Sequence, residues 1–228
     1  MIEILFLDLD DTILDFHKAE DIAIRKTLRH FGLEPEEAVL ARYRTINIAH
    51  WQMLERKELS RDQVVVGRFR QLFSEYGIPV DPEKVALRYE DDLSVGHYFL
   101  PGAQEALQTL SQKYRLFLAS NGTAKVQAGR LASADISRYF EKIFVSQEIG
   151  ANKPDIVYFD RCAAAIPGYA PEKAMMVGDS LTSDIQGGIN AGMKTVWVNP
   201  RHMSYPPHIV PDYEIEYLHQ LPALLNTL

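Results

Sequence analysis

Cysteine is almost missing: Cys162 is the only one in 228 residues. That excludes an intrachain disulfide and a thiolate metal cluster, and it fits a reducing compartment. Long hydrophobic runs are missing too. No stretch approaches the roughly 18 apolar residues that span a bilayer, and the first residues, MIEILFLDLDD, are broken by Glu3 and Asp8 and carry no basic leader. The expectation is a protein without membrane attachment, in the cytoplasm. An excess of positive charge is also absent, with 24 basic against 31 acidic residues and a net charge of -7. Such a field repels a polyanionic backbone, so a nucleic acid polymer is not an expected partner. His50, His97, His202 and His208 show no metal-ligand spacing. No internal repeat, low-complexity tract or long charge run is visible.

What is present describes a folded chain, with 46% hydrophobic and 24% charged residues. Short apolar runs recur at Ile4 to Leu7, Leu116 to Ala119, Ile143 to Val145, Ala174 to Val177 and Thr195 to Val198, with helical patterns between the later ones. This alternation predicts an α/β fold, a Rossmann-like doubly wound parallel sheet with helices on both faces. The first two runs lie about a hundred residues apart, far more than one crossover helix requires. An inserted helical domain over 16–96 is therefore expected, and a sheet domain formed by 1–15 and 97–228. In the insert, Ile24, Leu28 and Phe31 share one face before Gly32, Ser60 and Gln63 form a capping-box pattern ahead of Val64 to Tyr76, and Asp81 with Pro82 suits another helix start. Ile156, Phe159, Cys162 and Ile166 recur at three and four, which reads Cys162 as a packed helix residue. The stretch 201–211 reads as an irregular loop.

Ligands of doubly wound sheets bind beyond the carboxyl ends of the strands, so polar residues there carry the most information. FLDLDDT places Asp8 and Asp10 two apart at the end of the first strand. Two carboxylates aimed at one site repel unless a cation relieves them, which suggests a hard divalent ion on oxygen ligands; an acidic turn after an edge strand is the plainer alternative. LFLASNG delivers Ser120 and Asn121 to the end of another strand, where a turn alone also explains them. Lys153 stands before Pro154, a residue suited to a first helical position, so its ammonium can reach the same rim; solvated surface is the usual alternative for a lone lysine. Asp179 follows a further strand, with Asp184 five residues on, where helix capping is the alternative. A local cationic site and a metal can outweigh a modest global charge, so a small phosphorylated ligand is compatible with this chain.

Taken together and in this order, FLDLDDT, Ser120 in LASNG, Lys153 in NKP and GDSLTSD resemble the four motifs of the haloacid dehalogenase superfamily across nearly the whole chain. The helical insert is similar to that superfamily's cap. The resemblance implies that Asp8 is a nucleophile and Asp10 a general acid and base. It implies Mg2+ held by Asp8, Asp179 and the main-chain carbonyl of Asp10, with Asp184 steadying its waters. It gives Thr12 and Ser120 phosphoryl oxygens to bind or a loop to hold, with Asn121 assisting and Lys153 offsetting charge.

True dehalogenases of the superfamily lack the second aspartate, because a halide leaving group needs no proton; Asp10 thus favours phosphoryl chemistry. The segments INIAHWQMLERKELSRDQVVVGRF and DIQGGINAGMKTVWVNPRH resemble the YjjG/YfnB type of nucleoside monophosphate phosphatases. This implies a 5'-nucleotidase acting on pyrimidine nucleoside monophosphates, noncanonical ones included, with Phe16, Asn47 and Trp51 facing the base; Trp51 equally suits the core of the cap. Sugar-phosphate phosphatases and phosphomutases keep the same aspartate pair and remain alternatives. A phosphorylated receiver-like signalling module, which also uses an aspartate, a hydroxyl residue, a lysine and magnesium, is opposed by the large insert and by Asp10.

Overall fold

In the computed structural model, which describes all 228 residues, the chain forms two compact units, Met1–Phe16 with His97–Leu228, and His17–Gly96. Strand β1 (Ile4–Leu7) is followed by helices α1 (Phe16–His30), α2 (Glu37–Glu55), α3 (Arg61–Tyr76) and α4 (Pro82–Ser94). The chain continues through α5 (Ala103–Leu110), β2 (Arg115–Ser120), α6 (Ala124–Ala134), β3 (Lys142–Val145), α7 (Ser146–Ile149), α8 (Ile156–Ala164) and β4 (Ala174–Gly178). It closes with α9 (Gln186–Asn190), β5 (Lys194–Val198), β6 (Tyr213–Ile215) and α10 (Leu221–Leu225).

The six strands make one parallel sheet in the order β3-β2-β1-β4-β5-β6. Both faces are covered, which is why the strands read as continuous apolar runs. Alternate residues separate onto the two faces as the pleat demands. Leu5, Leu7, Leu118 and Val177 pack with Leu107 of α5, Leu131 of α6 and Leu221 of α10. Ile4, Phe6, Phe117 and Met176 pack with Tyr158, Phe159 and Cys162 of α8. Burial pushes the Cys162 thiol up to about 12, so it is an inert core group. Ile156, expected on the same stripe, is 41% exposed instead, because it is the first residue of α8.

Two further details differ from expectation. Pro154 precedes the helix rather than opening it: Asp155 is the cap, its side chain accepting from the Val157 amide at 3.1 Å. Strand β6 lies outside the predicted set, since only Ile215 of its three residues is buried and no apolar run marks it.

The helical unit shows how local chemistry fixes element ends. Ser60 accepts from the Gln63 amide at 3.4 Å, and Gln63 accepts from the Ser60 amide at 2.8 Å, closing a capping box on α3. The same helix stops at Gly77, whose φ of 63 suits a residue without Cβ. Asp81 caps α4, with Pro82 at its first position. Ile24 and Leu28 of α1 are buried, whereas Phe31 lies past the helix end and is half-buried. At the centre, the ring of Tyr43 lies 5.5 Å from that of Phe69 and 5.9 Å from that of Tyr89, so α2, α3 and α4 share an aromatic core.

No helix is long and apolar enough to cross a membrane.

Candidate active site

Leu7 is in register with Leu118 of β2 and Val177 of β4, so the residues after these strands emerge along one edge of the sheet. The strand order reverses beside β1, the place where doubly wound sheets open a crevice. Asp8 continues the pairing, its amide donating to the Val177 carbonyl at 2.9 Å. Beyond it the chain turns tightly: the Leu9 carbonyl accepts from Ile13 and Leu14, and Asp11 takes a left-handed φ of 55 while its carboxylate accepts from the Phe16 amide at 2.9 Å.

Lys153 is the centre of the site. Its ammonium donates to Asp8 Oδ1 at 2.7 Å, to Asp184 Oδ1 at 2.6 Å and to the Ala119 carbonyl at 2.6 Å, which uses all three of its protons. The side chain is buried, and the two carboxylates hold the ammonium well above the ordinary lysine range against the cost of desolvation. Carboxylate oxygens of Asp8, Asp179 and Asp184 lie within 4.8 Å of one another. Burial first, and then the neighbouring carboxylates Asp184 and Asp10, push Asp8 up to about 8 in spite of Lys153. Asp179 is raised by burial and by the charges of Asp184, Asp8 and Asp11. Were all three carboxylates ionised against the one ammonium, two negative charges would stand together here, and burial with that repulsion is what favours protons on Asp8 and Asp179. A divalent cation with oxygen preference fits that set in charge and donor type.

The backbone around β4 is shaped to admit this cluster. A Cβ on Gly178 would lie 2.2 Å from Asp184 Oδ2, so only glycine leaves room for that carboxylate. Asp184 also accepts from the Ser180 amide at 3.1 Å, while the Ser180 hydroxyl caps the following turn by accepting from Ser183. The Trp197 indole, wholly buried on β5, donates to the Asp179 carbonyl at 2.8 Å. Trp197 was not anticipated; it reads in sequence only as a strand residue.

Of the expected phosphate-binding residues, Ser120 is buried beside the cluster, and its hydroxyl accepts from the Gly122 amide at 3.1 Å and from Gln127 Nε2 at 2.8 Å. Thr12 is fully buried and its hydroxyl has no partner. Asn121, expected to assist at the phosphoryl group, instead clamps the main chain of Lys153, donating to its carbonyl and accepting from its amide, both at 2.9 Å. It thus holds the lysine loop. The side chain of Asp10, expected beside Asp8, turns to α6, where it pairs with Arg130 and accepts from Gln127 at 2.7 Å. In the sequence, neither α6 residue stood out from an ordinary helix surface.

The residues expected to face a base fall in both units. Phe16 belongs to the sheet unit, its ring under the Arg130 guanidinium at 5.6 Å. Asn47 is buried within the helical unit, donating to Glu20 at 2.6 Å and accepting from Arg68 at 2.8 Å, so both ends of its amide are used there. Trp51 is half-buried, with Arg61 over its ring at 5.6 Å.

The sequence profile of the haloacid dehalogenase-like hydrolases matches residues 4–198. The chain belongs to this family. Within the haloacid dehalogenase-like hydrolases it is 39% identical over 212 residues to pyrimidine 5'-nucleotidase PynA of Streptococcus pneumoniae, covering 92% of this chain and 90% of that protein. It is 27% identical to pyrimidine 5'-nucleotidase YjjG of Escherichia coli, covering 97% and 96%. The crystal structure of the HAD-hydrolase YfnB of Bacillus subtilis bound to magnesium superposes with a TM-score of 0.94 at 37% identity, covering 99% of both chains. In this chain the oxygens of Asp8, Asp179 and Asp184 form a group able to hold a metal ion.

Proposed function

We propose that this hydrolase is a magnesium-dependent phosphatase that works through an aspartyl phosphate on Asp8 and hydrolyses pyrimidine nucleoside monophosphates. The observation that carries the reading is the cluster of Asp8, Asp179 and Asp184 at the sheet edge, with Lys153 bonded to Asp8 and Asp184. Asp8 and Asp179, with the Asp10 carbonyl, would hold the metal, and Asp184 would order its waters. When bound, Mg2+ neutralises the phosphate dianion and the attacking carboxylate.

Asp8 attacks phosphorus as the bond to the leaving oxygen breaks, and Asp10 gives that oxygen a proton. Water then attacks the aspartyl phosphate, Asp10 takes the water's proton, and Asp8 is released with inorganic phosphate. Lys153 offsets charge on Asp8 throughout. Ser120 accepts two hydrogen bonds, which fill its lone pairs and leave its own proton to donate to a phosphoryl oxygen. Thr12, a buried hydroxyl lacking a partner, is a second candidate donor.

The substrate class rests on the two pyrimidine 5'-nucleotidases among the relatives. A panel of phosphorylated metabolites assayed with Mg2+ tests it: dUMP, dTMP and UMP should be hydrolysed more efficiently than purine nucleotides or hexose phosphates. Preference for a sugar phosphate would overturn the nucleotidase reading and leave the phosphatase mechanism standing. A folded Asp8→Asn protein with wild-type rates would overturn the mechanism itself.

A further inference from the structure

Asp10 is held from below by two side chains of one helix. Arg130 reaches its Oδ1, and Gln127 Nε2 donates to its Oδ2 at 2.7 Å. Each donor takes a different oxygen, so together they fix the plane of the carboxylate as well as its position. The Arg130 side chain is wholly buried and Gln127 nearly so, whereas the Asp10 side chain is 27% exposed. The carboxylate is therefore gripped on its inner side and open on its outer one.

The arrangement depends on local sequence. Gln127 and Arg130 stand three apart on α6 and share a face. A Cβ on Gly122 would lie 2.3 Å from Gln127 Nε2, so the glycine after Asn121 is what lets Gln127 reach across. The same Nε2 donates to Ser120 at 2.8 Å, which ties Asp10 and the Ser120 hydroxyl to one amide. The amide is set with its nitrogen toward both partners, the Asp10 carboxyl and the Ser120 hydroxyl. The Phe16 ring closes the other side of the guanidinium.

We infer that Arg130 and Gln127 are positioning residues for proton transfer by Asp10, holding its carboxylate in line with the leaving oxygen while Gln127 turns the Ser120 proton toward the phosphoryl group. This rests on Asp10 being the general acid and base. Burying a guanidinium and an amide under a helix costs desolvation, and the two contacts to Asp10 are what that cost secures.

The test compares two leaving groups. Arg130→Met should lower kcat for a pyrimidine nucleotide, whose alkoxide needs a proton, by about tenfold to a hundredfold, part of the hundredfold or more that acid-base catalysis supplies. The loss on p-nitrophenyl phosphate should be several times smaller. Added to Asp10→Asn, the same substitution should cost little more, because both act through one group. Gln127→Met provides the same comparison should Arg130→Met fail to fold, and Arg130→Lys should recover part of the loss on the nucleotide. Equal losses on both substrates, or losses that multiply with Asp10→Asn, would overturn the inference and make the pair purely structural. If Asp10→Asn itself shows no leaving-group dependence, the acid and base role of Asp10 fails first, and the positioning role with it.

Discussion

Asp8 combines two pressures that a lone carboxylate does not meet. Lys153 favours its charge, but burial and the neighbouring acids win and raise it from the ordinary 3.8 to about 8. Between those values the folded state holds a proton that the unfolded chain has released, so stability from this group is full at low pH and is lost as pH rises through about 8. A divalent cation bound there would reverse the balance by replacing the proton. Thermal melts of chelated protein should therefore show Tm falling from about pH 5 to about pH 9 more steeply than in Asp8→Asn, with Mg2+ raising Tm more at the alkaline end. A magnesium effect on Tm that is equal at both ends would contradict the arrangement. Gly178 tests the same cluster by shape. Gly178→Ala puts a methyl on Asp184, so it should weaken Mg2+ stabilisation of the fold by at least tenfold in apparent Kd, read by titrating Tm, and an unchanged midpoint would show that Asp184 has room to move.

At the scale of the helices, capping and buried polar chemistry make separate demands. Ser60→Ala removes one half of the capping box on α3 and should cost about 1 kcal/mol in denaturant unfolding. Asn47 bridges Glu20 of α1 and Arg68 of α3. Asn47→Leu strips a partner from two buried charged groups at once and should cost about 3 kcal/mol or more, the scale of breaking a buried ionic contact. It should lower nucleotide and p-nitrophenyl phosphate hydrolysis in proportion; a selective loss on nucleotides would return Asn47 to the role of base reader. The two positions differ in how legible they were. The Ser60 box is a local signal and could be read from spacing, while the partners of Asn47 lie 27 and 21 residues away and no local pattern reveals them.

Most of the sheet was readable because each central strand is buried on both faces and leaves an uninterrupted apolar run. β6, at the edge and mostly exposed, left none. Asp8, Ser120 and Asp179 drew attention for a related reason: polar residues at the ends of such runs stand out. Gln127 and Arg130 did not, since polar residues three apart on a helix usually face water, and only the packing of α6 against the sheet turns these two inward. Trp197 was hidden in the opposite way, as one more apolar residue in a strand.

That last residue gives the molecule an optical signal. The chain has only two tryptophans, and Trp197 is wholly buried with its indole N–H on the carbonyl of Asp179. Any ion drawn to the Asp179 carboxylate changes the field at that indole. In a Trp51→Phe protein the remaining emission belongs to Trp197 alone, and adding Mg2+ should shift its wavelength or intensity along a saturable curve. Asp179→Asn should flatten that curve while the emission itself stays that of a buried indole. Emission that ignores Mg2+ would separate the indole from the metal group. The Trp51→Phe chain would thus carry its own reporter, in which cation binding is followed with no substrate turned over.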